Sequence, residues 1–171
     1  TNGLTGLGAT VGILSDSANQ FTDSNGTGLA SSYSTGDLPN GAVQVIEDYT
    51  GSDATDEGRA MLENVHDVAP GASLAFATAF ISELDFANNI KALANQAGAK
   101  IIADDVHYAD EPFFQPGIIQ QSIDNVVSNG VTYFSSAGNQ SNNGYLSTFR
   151  GANGSVTGIG TGRFMNFDPA G

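Results

Sequence analysis

Short, nearly continuous apolar runs alternate along this chain with segments whose apolar residues recur every three or four positions. TVGIL (residues 10–14), AVQVIE (42–47), SLAFATAF (73–80), IIADDV (101–106) and VTYF (131–134) read as strands. Between them, residues 57–68, ELDFANNIKALANQAG (83–98) and GIIQQSIDNVVSNG (117–130) read as helices, closed by Pro70-Gly71, Gly98 and Gly130. Strands apolar on both faces and joined through helices demand parallel pairing by right-handed crossovers. The expectation is one α/β domain of three layers over residues 1–171, a mostly parallel sheet flanked by helices. That length can bury a core of useful size.

The helical period also assigns faces. Ala60, Met61, Val65 and Val68 are expected inward on the first helix, Leu84, Ala87, Ile90, Leu93 and Ala94 on the second, and Ile119, Ile123, Val126 and Val127 on the third. Residues 17–41 are polar and glycine-rich and read as loop with room for a short helix. The tail from Tyr145 shows no period and reads as an edge segment.

In an open parallel sheet, functional groups collect outside the carboxyl ends of the strands. Asp16 follows TVGIL, Asp104 and Asp105 end IIADD, and Ser136 to Asn139 follow VTYF. Each has an ordinary use as well: aspartates cap turns, and adjacent ones bind cations. Strand alternation sends Asp104 and Asp105 to opposite faces, and counting from Ile101 and Ile102 turns Asp105 toward the site. Two carboxylates at such an edge repel, which raises a pKa. The amide of Asn139 suits donation to a developing oxyanion. His66 lies nine residues after Glu57, on the opposite side of the helix at about 100° per residue. It reads as a surface or packing residue, and His107 as part of a binding loop, HYADEPFF. GLGATVG precedes its strand instead of following it, so it is not a dinucleotide loop, and GIGTG reads as an ordinary loop.

Charge excludes several partners. The formal net charge is −13, from 18 acids against 5 bases. Nucleic acids and anionic membranes require Lys and Arg contacts that this chain cannot supply. There is no cysteine, hence no disulfide and no thiolate metal site. No apolar run reaches bilayer length. Abundant Gly, Ser, Thr and Asn with few Lys suggest an extracellular bacterial protein. No cofactor is expected; calcium is open, with Asp48, Asp53 and Asp56 as candidate ligands.

Taken in order, VGILSDS with Asp16, the segment EGRAML followed by VAPGA, and AGN with Asn139 resemble the subtilisin-like serine peptidases, the subtilases, over essentially the whole chain. In that family the aspartate motif is D-T/S-G, the histidine helix H-G-T-x-V-A runs into V-A-P-G-A, and A-G-N carries the oxyanion asparagine. Ala18 stands where the family has glycine. Glu57 occupies the histidine position, with Gly58 kept beside it. The sedolisins, relatives on the same fold, also place a glutamate there. Their supporting aspartate falls one turn later, where this chain has Met61.

The resemblance implies a serine-type endopeptidase working through an acyl-enzyme on a protein or peptide substrate. Asp16 would orient Glu57 from within hydrogen-bond reach, Glu57 would take the proton from serine, Asn139 would hold the oxyanion, and Asp105 would tune the carboxylates. A glutamate is a weak acceptor unless its pKa is raised or it shares a proton with a neighbour. The nucleophile motif, G-T/S-S-x-x-x-P, has no counterpart here and is expected beyond residue 171, in the remainder of the catalytic domain. The alternative implied by the missing histidine is a catalytically inactive subtilase-like domain that binds or assembles.

Overall fold

A computed structural model describes residues 3–112, 114–140, 148–158 and 160–167. The chain divides into two compact units, Thr1–Gly138 and Asn139–Gly171.

The first unit runs β1 (Thr10–Ser15), β2 (Thr22–Asp23), β3 (Gly26–Thr27), α1 (Leu29–Thr35), β4 (Val43–Glu47), α2 (Glu57–Val68), β5 (Ser73–Thr78), α3 (Glu83–Asn95), β6 (Ile101–Asp104), α4 (Ile118–Ser128) and β7 (Thr132–Ser135). β4, β5, β1, β6 and β7 form a five-stranded sheet in that order, and every pair is parallel. The α/β layered fold expected from the alternation is the fold observed. β1 sits at the centre of the sheet, with residues 11–15 all buried, as its unbroken apolar run requires.

Two cores flank the sheet. Val11, Ile13, Leu74 and Phe76 pack with Leu62 of α2 and Leu29 of α1 on one face. Leu14, Ala75, Ala77 and Ile102 pack with α3 and α4 on the other, through Phe86, Ile90, Leu93, Ile119 and Val126. Alternation along β1 is thus resolved residue by residue. Helix α3 comes close enough that a Cβ at Gly12 would stand 3.1 Å from a Leu93 methyl. Ser82 caps α3, its hydroxyl accepting from the Asp85 N–H at 3.2 Å. Gly98 and Gly130, with φ of 69° and 88°, let the chain turn back after α3 and α4.

The helix phases need correction at their edges. On α2 the buried side is Gly58 and Leu62, with Met61 and Val65 partly covered, while Ala60 is exposed and Val68 is 78% exposed. On α3 Phe86 and Asn89 are inside and Leu84 is outside; on α4 Ser122 is inside and Val127 outside. Each shift rotates the stripe by about one position. Small residues such as Gly58 let the sheet approach, and the covered arc follows the closest contact more than the apolar count. Residues 17–41 hold the β2–β3 hairpin and α1.

The second unit contains β8 (Gly151–Val156) and β9 (Gly160–Met165), paired antiparallel as a hairpin. Most of its described residues are exposed, which removes the apolar alternation that would have announced the strands.

Candidate active site

The carboxyl edge of β1 leads straight into Asp16, which is 6% exposed. Its carboxylate is filled by donors from the segment that starts α2. Oδ2 accepts from the Thr55 N–H, the Thr55 hydroxyl at 2.9 Å and the Ser17 hydroxyl at 3.0 Å; Oδ1 accepts the main-chain N–H of Glu57 at 3.0 Å. Burial alone would raise the Asp16 pKa, but these donors from Thr55 and Ser17 outweigh it and hold it below the ordinary value. Asp16 therefore stays ionised. The expected carboxyl-to-carboxyl bond with Glu57 is replaced by a main-chain one. Helix N-terminal N–H groups lack partners within the helix, and the ionised Asp16 carboxylate gains more from accepting them than from facing a second carboxylate.

The residue before Glu57 is pinned as firmly. Asp56 has φ 58°, left-handed for a residue with a side chain. Its N–H donates to Ser17 Oγ at 2.8 Å, and its carboxylate accepts the N–H groups of Gln20 at 2.8 Å and Phe21 at 3.0 Å. Arg59 lies 3.7 Å from it and 3.5 Å from Asp23. The loop after β1 is thereby tied to the start of α2 by buried polar contacts, which hold the strained backbone in place. A Cβ at Gly58 would stand 2.7 Å from the Ser17 carbonyl oxygen and run into the Phe76 ring, so only glycine lets α2 lie this close to the sheet.

Glu57 itself opens α2 with its side chain exposed. No described residue hydrogen-bonds its carboxylate. Its backbone is fixed and its side chain is available, which suits a group that must accept a proton from a substrate or nucleophile. Beside it lies a cleft of about 460 Å³ that includes Asp23, Asp37, Asp56, Glu63 and Arg59 in its walls.

β1 and β6 pair with Leu14 opposite Asp104, so Asp105 follows on at the level of Ser15. The two aspartates separate as alternation predicts. Asp104, 4% exposed, accepts the Ser135 hydroxyl at 2.9 Å and lies beside Tyr133. Burial raises its pKa, Tyr133 and Ser135 offset part of that, and Glu111 adds repulsion. Asp105 is half-buried and belongs with the other group. Burial pushes its pKa up to about 6; Ser15 draws it down, and Glu57, Asp104 and Asp16 push it up again. One carboxyl of the edge is thus held ionised while its neighbour retains a proton into the mildly acid range, the separation that distinct proton roles require.

The sign of that shift gives a stability test. An acid whose folded pKa lies above its unfolded one costs no stability below the unfolded value, near about 3.9, and destabilises progressively as pH rises to the folded value, near 6. Asp105→Asn should therefore unfold at higher urea than the parent above pH 7, by about 1 to 2 kcal/mol for a partly solvated site. The gap should close below pH 4. A gap that persists unchanged at pH 3.5 would assign the effect to packing.

Asn139 is the first residue of the second unit and is exposed. His66 is half-covered in the last turn of α2, and His107 is exposed after β6. The three aspartates considered for calcium have donors from the chain: Asp48 binds the Ala18 N–H and the Gln20 amide, Asp53 the Tyr49 hydroxyl, and Asp56 the contacts given above. Among the described residues no three His, Asp or Glu side chains are grouped to hold a metal. Ser15, Ser17 and Thr55 escaped the sequence analysis, since a hydroxyl beside an aspartate motif carries no period and no charge.

No protein-family model matches the chain, and no curated protein matches it. Among solved structures it is similar to one described as "PatG macrocyclase in complex with peptide", at 17% identity and a TM-score of 0.49, over 83% of this chain and 54% of that one. The chain spans about half the length of that structure, and a likeness at this level transfers no residue roles.

Proposed function

We propose that the chain is the part of a secreted serine-type endopeptidase that supplies its general base, with a glutamate in place of histidine. Glu57 accepts the proton of a serine carried outside residues 1–171. Asp16 holds the main chain at Glu57, and Asp105 is the neighbouring carboxyl that shares a proton with it. The amide of Asn139, by its AGN motif, donates to the oxyanion of the acyl-transfer step. The substrate is a protein or peptide chain.

The observation that carries this proposal is the treatment of Glu57. Its backbone is anchored by a buried aspartate, its neighbour Asp56 is strained, and its own carboxylate is left without a described partner beside a raised-pKa carboxyl. A helix cap alone would need none of that apparatus.

Residues 1–171 alone should hydrolyse no casein-type substrate and should take up no serine-directed phosphonate label. The protein extended through a G-T-S-x-x-x-P segment should take up one label per chain and hydrolyse the same substrate. Stoichiometric labelling of the short chain would place the nucleophile among its own serines and overturn the assignment.

A further inference from the structure

Two buried polar atoms at the carboxyl edge of the sheet have no hydrogen-bond partner among the described residues: Ser15 Oγ and Asp105 Oδ1. They belong to neighbouring positions, because β1 and β6 are in register up to Leu14 and Asp104 and these residues come next. Ser15 is 1% exposed, so its hydroxyl has no access to bulk water. Val11 and Ile13 face α2, and Ser15 follows them by alternation, on the side where Glu57 starts that helix. A hydroxyl and a carboxyl oxygen left without partners cost stability at both atoms, and the Ser15 side chain lies close enough to Asp105 to lower its pKa.

The charged groups that act on Asp105 most strongly are acids. Glu57 comes from α2, Asp16 from the end of β1, and Asp104 from β6. Each opposes its ionisation, as does burial, and the Ser15 hydroxyl favours it. A hydroxyl that can turn toward the carboxylate when it forms, and away when it is protonated, suits a group that must exist in both forms.

We propose that Ser15 is a positioning residue for Asp105: its hydroxyl donates to Oδ1 when Asp105 is ionised and so lets Asp105 release and recover a proton shared with Glu57. This rests on the peptidase proposal for the use of the proton, but the Ser15–Asp105 coupling stands independently of it. The hydroxyl donates to Oδ1 when Asp105 ionises and is free to turn away when Asp105 is protonated.

The test is a ¹³C NMR titration of the Asp105 carboxyl carbon in the parent chain, in Ser15→Ala and in Ser15→Thr. Ser15→Ala should raise the Asp105 midpoint by about one pH unit, since a hydrogen bond to a charged group is lost. Ser15→Thr, which keeps the hydroxyl, should restore it. The Asp104 midpoint, set on the other face by Tyr133 and Ser135, should stay in place. An unmoved Asp105 midpoint in Ser15→Ala, or equal movement of both aspartates, would overturn the proposal. Should Ser15→Ala fail to fold, the parent chain decides: the Ser15 Hβ shifts must follow the Asp105 midpoint, and independent titration refutes the coupling. A shifted Asp105 midpoint together with full activity in Glu57→Gln would leave the coupling standing and remove the peptidase proposal.

Discussion

Glu57→Gln should lower turnover of the nucleophile-bearing protein by roughly 10³-fold, within the range that general bases contribute. The substitution keeps size, helix position and the main-chain N–H that Asp16 accepts, and removes only the ability to take a proton. Folding should be unchanged, because the carboxylate makes no hydrogen bond to a described residue. The pH–rate profile carries the finer content. Asp16 is held below the ordinary carboxylate value, so on the proposal above the proton at issue is that of Asp105, raised to about 6. Activity should peak on the acid side of neutrality and decline as pH passes about 6 and that proton leaves. Glu57→His should move the optimum upward if it is active, since an imidazole works nearer neutrality. Full activity in Glu57→Gln would end the base assignment and put an inactive binding or assembly domain ahead of it.

The sheet could be read from sequence because its inner strands β1 and β5 are buried on both faces, which leaves unbroken apolar runs such as residues 10–14. The same property located the site. Parallel strands bring all their carboxyl ends to one edge, so Asp16, Asp104 and Asp105 had to be neighbours of some kind once the order was known. Alternation then separated Asp104 from Asp105 without any coordinates. Partner choice was not legible. Two acids close in space suggest a shared proton, but the unfilled N–H groups at the start of α2 bind Asp16 more strongly than a second carboxylate does. Nothing in the sequence of residues 55–57 marks which of their groups turns toward β1. The same holds for Leu62 and Val68: the period fixes that α2 has a face, and the glycine at 58 decides how far the helix rotates onto the sheet. Ser15 was invisible for a different reason. It ends an apolar strand like any small residue, and only its orphaned hydroxyl beside Asp105 sets it apart.

Asn139→Ala should lower kcat of the nucleophile-bearing protein by on the order of 10²- to 10³-fold, with KM nearly unchanged. An oxyanion donor binds the charge that develops in the transition state more strongly than the ground-state carbonyl, so its loss falls on kcat. That corresponds to about 2.7 to 4 kcal/mol of barrier. Stability should hardly move, because Asn139 is exposed and follows a turn whose left-handed position is already supplied by Gly138, φ 76°. Asn139→Asp sharpens the test. It has the same shape and offers a carboxylate where the amide donated, so above its own titration it sets a negative charge against the oxyanion. It should be slower than Asn139→Ala at pH 7 and recover in part as pH falls, when the carboxyl regains a proton to donate. An alanine variant with parental kcat would take Asn139 out of the oxyanion role. An aspartate variant no slower than alanine at pH 7 would show that no negative charge develops near that side chain.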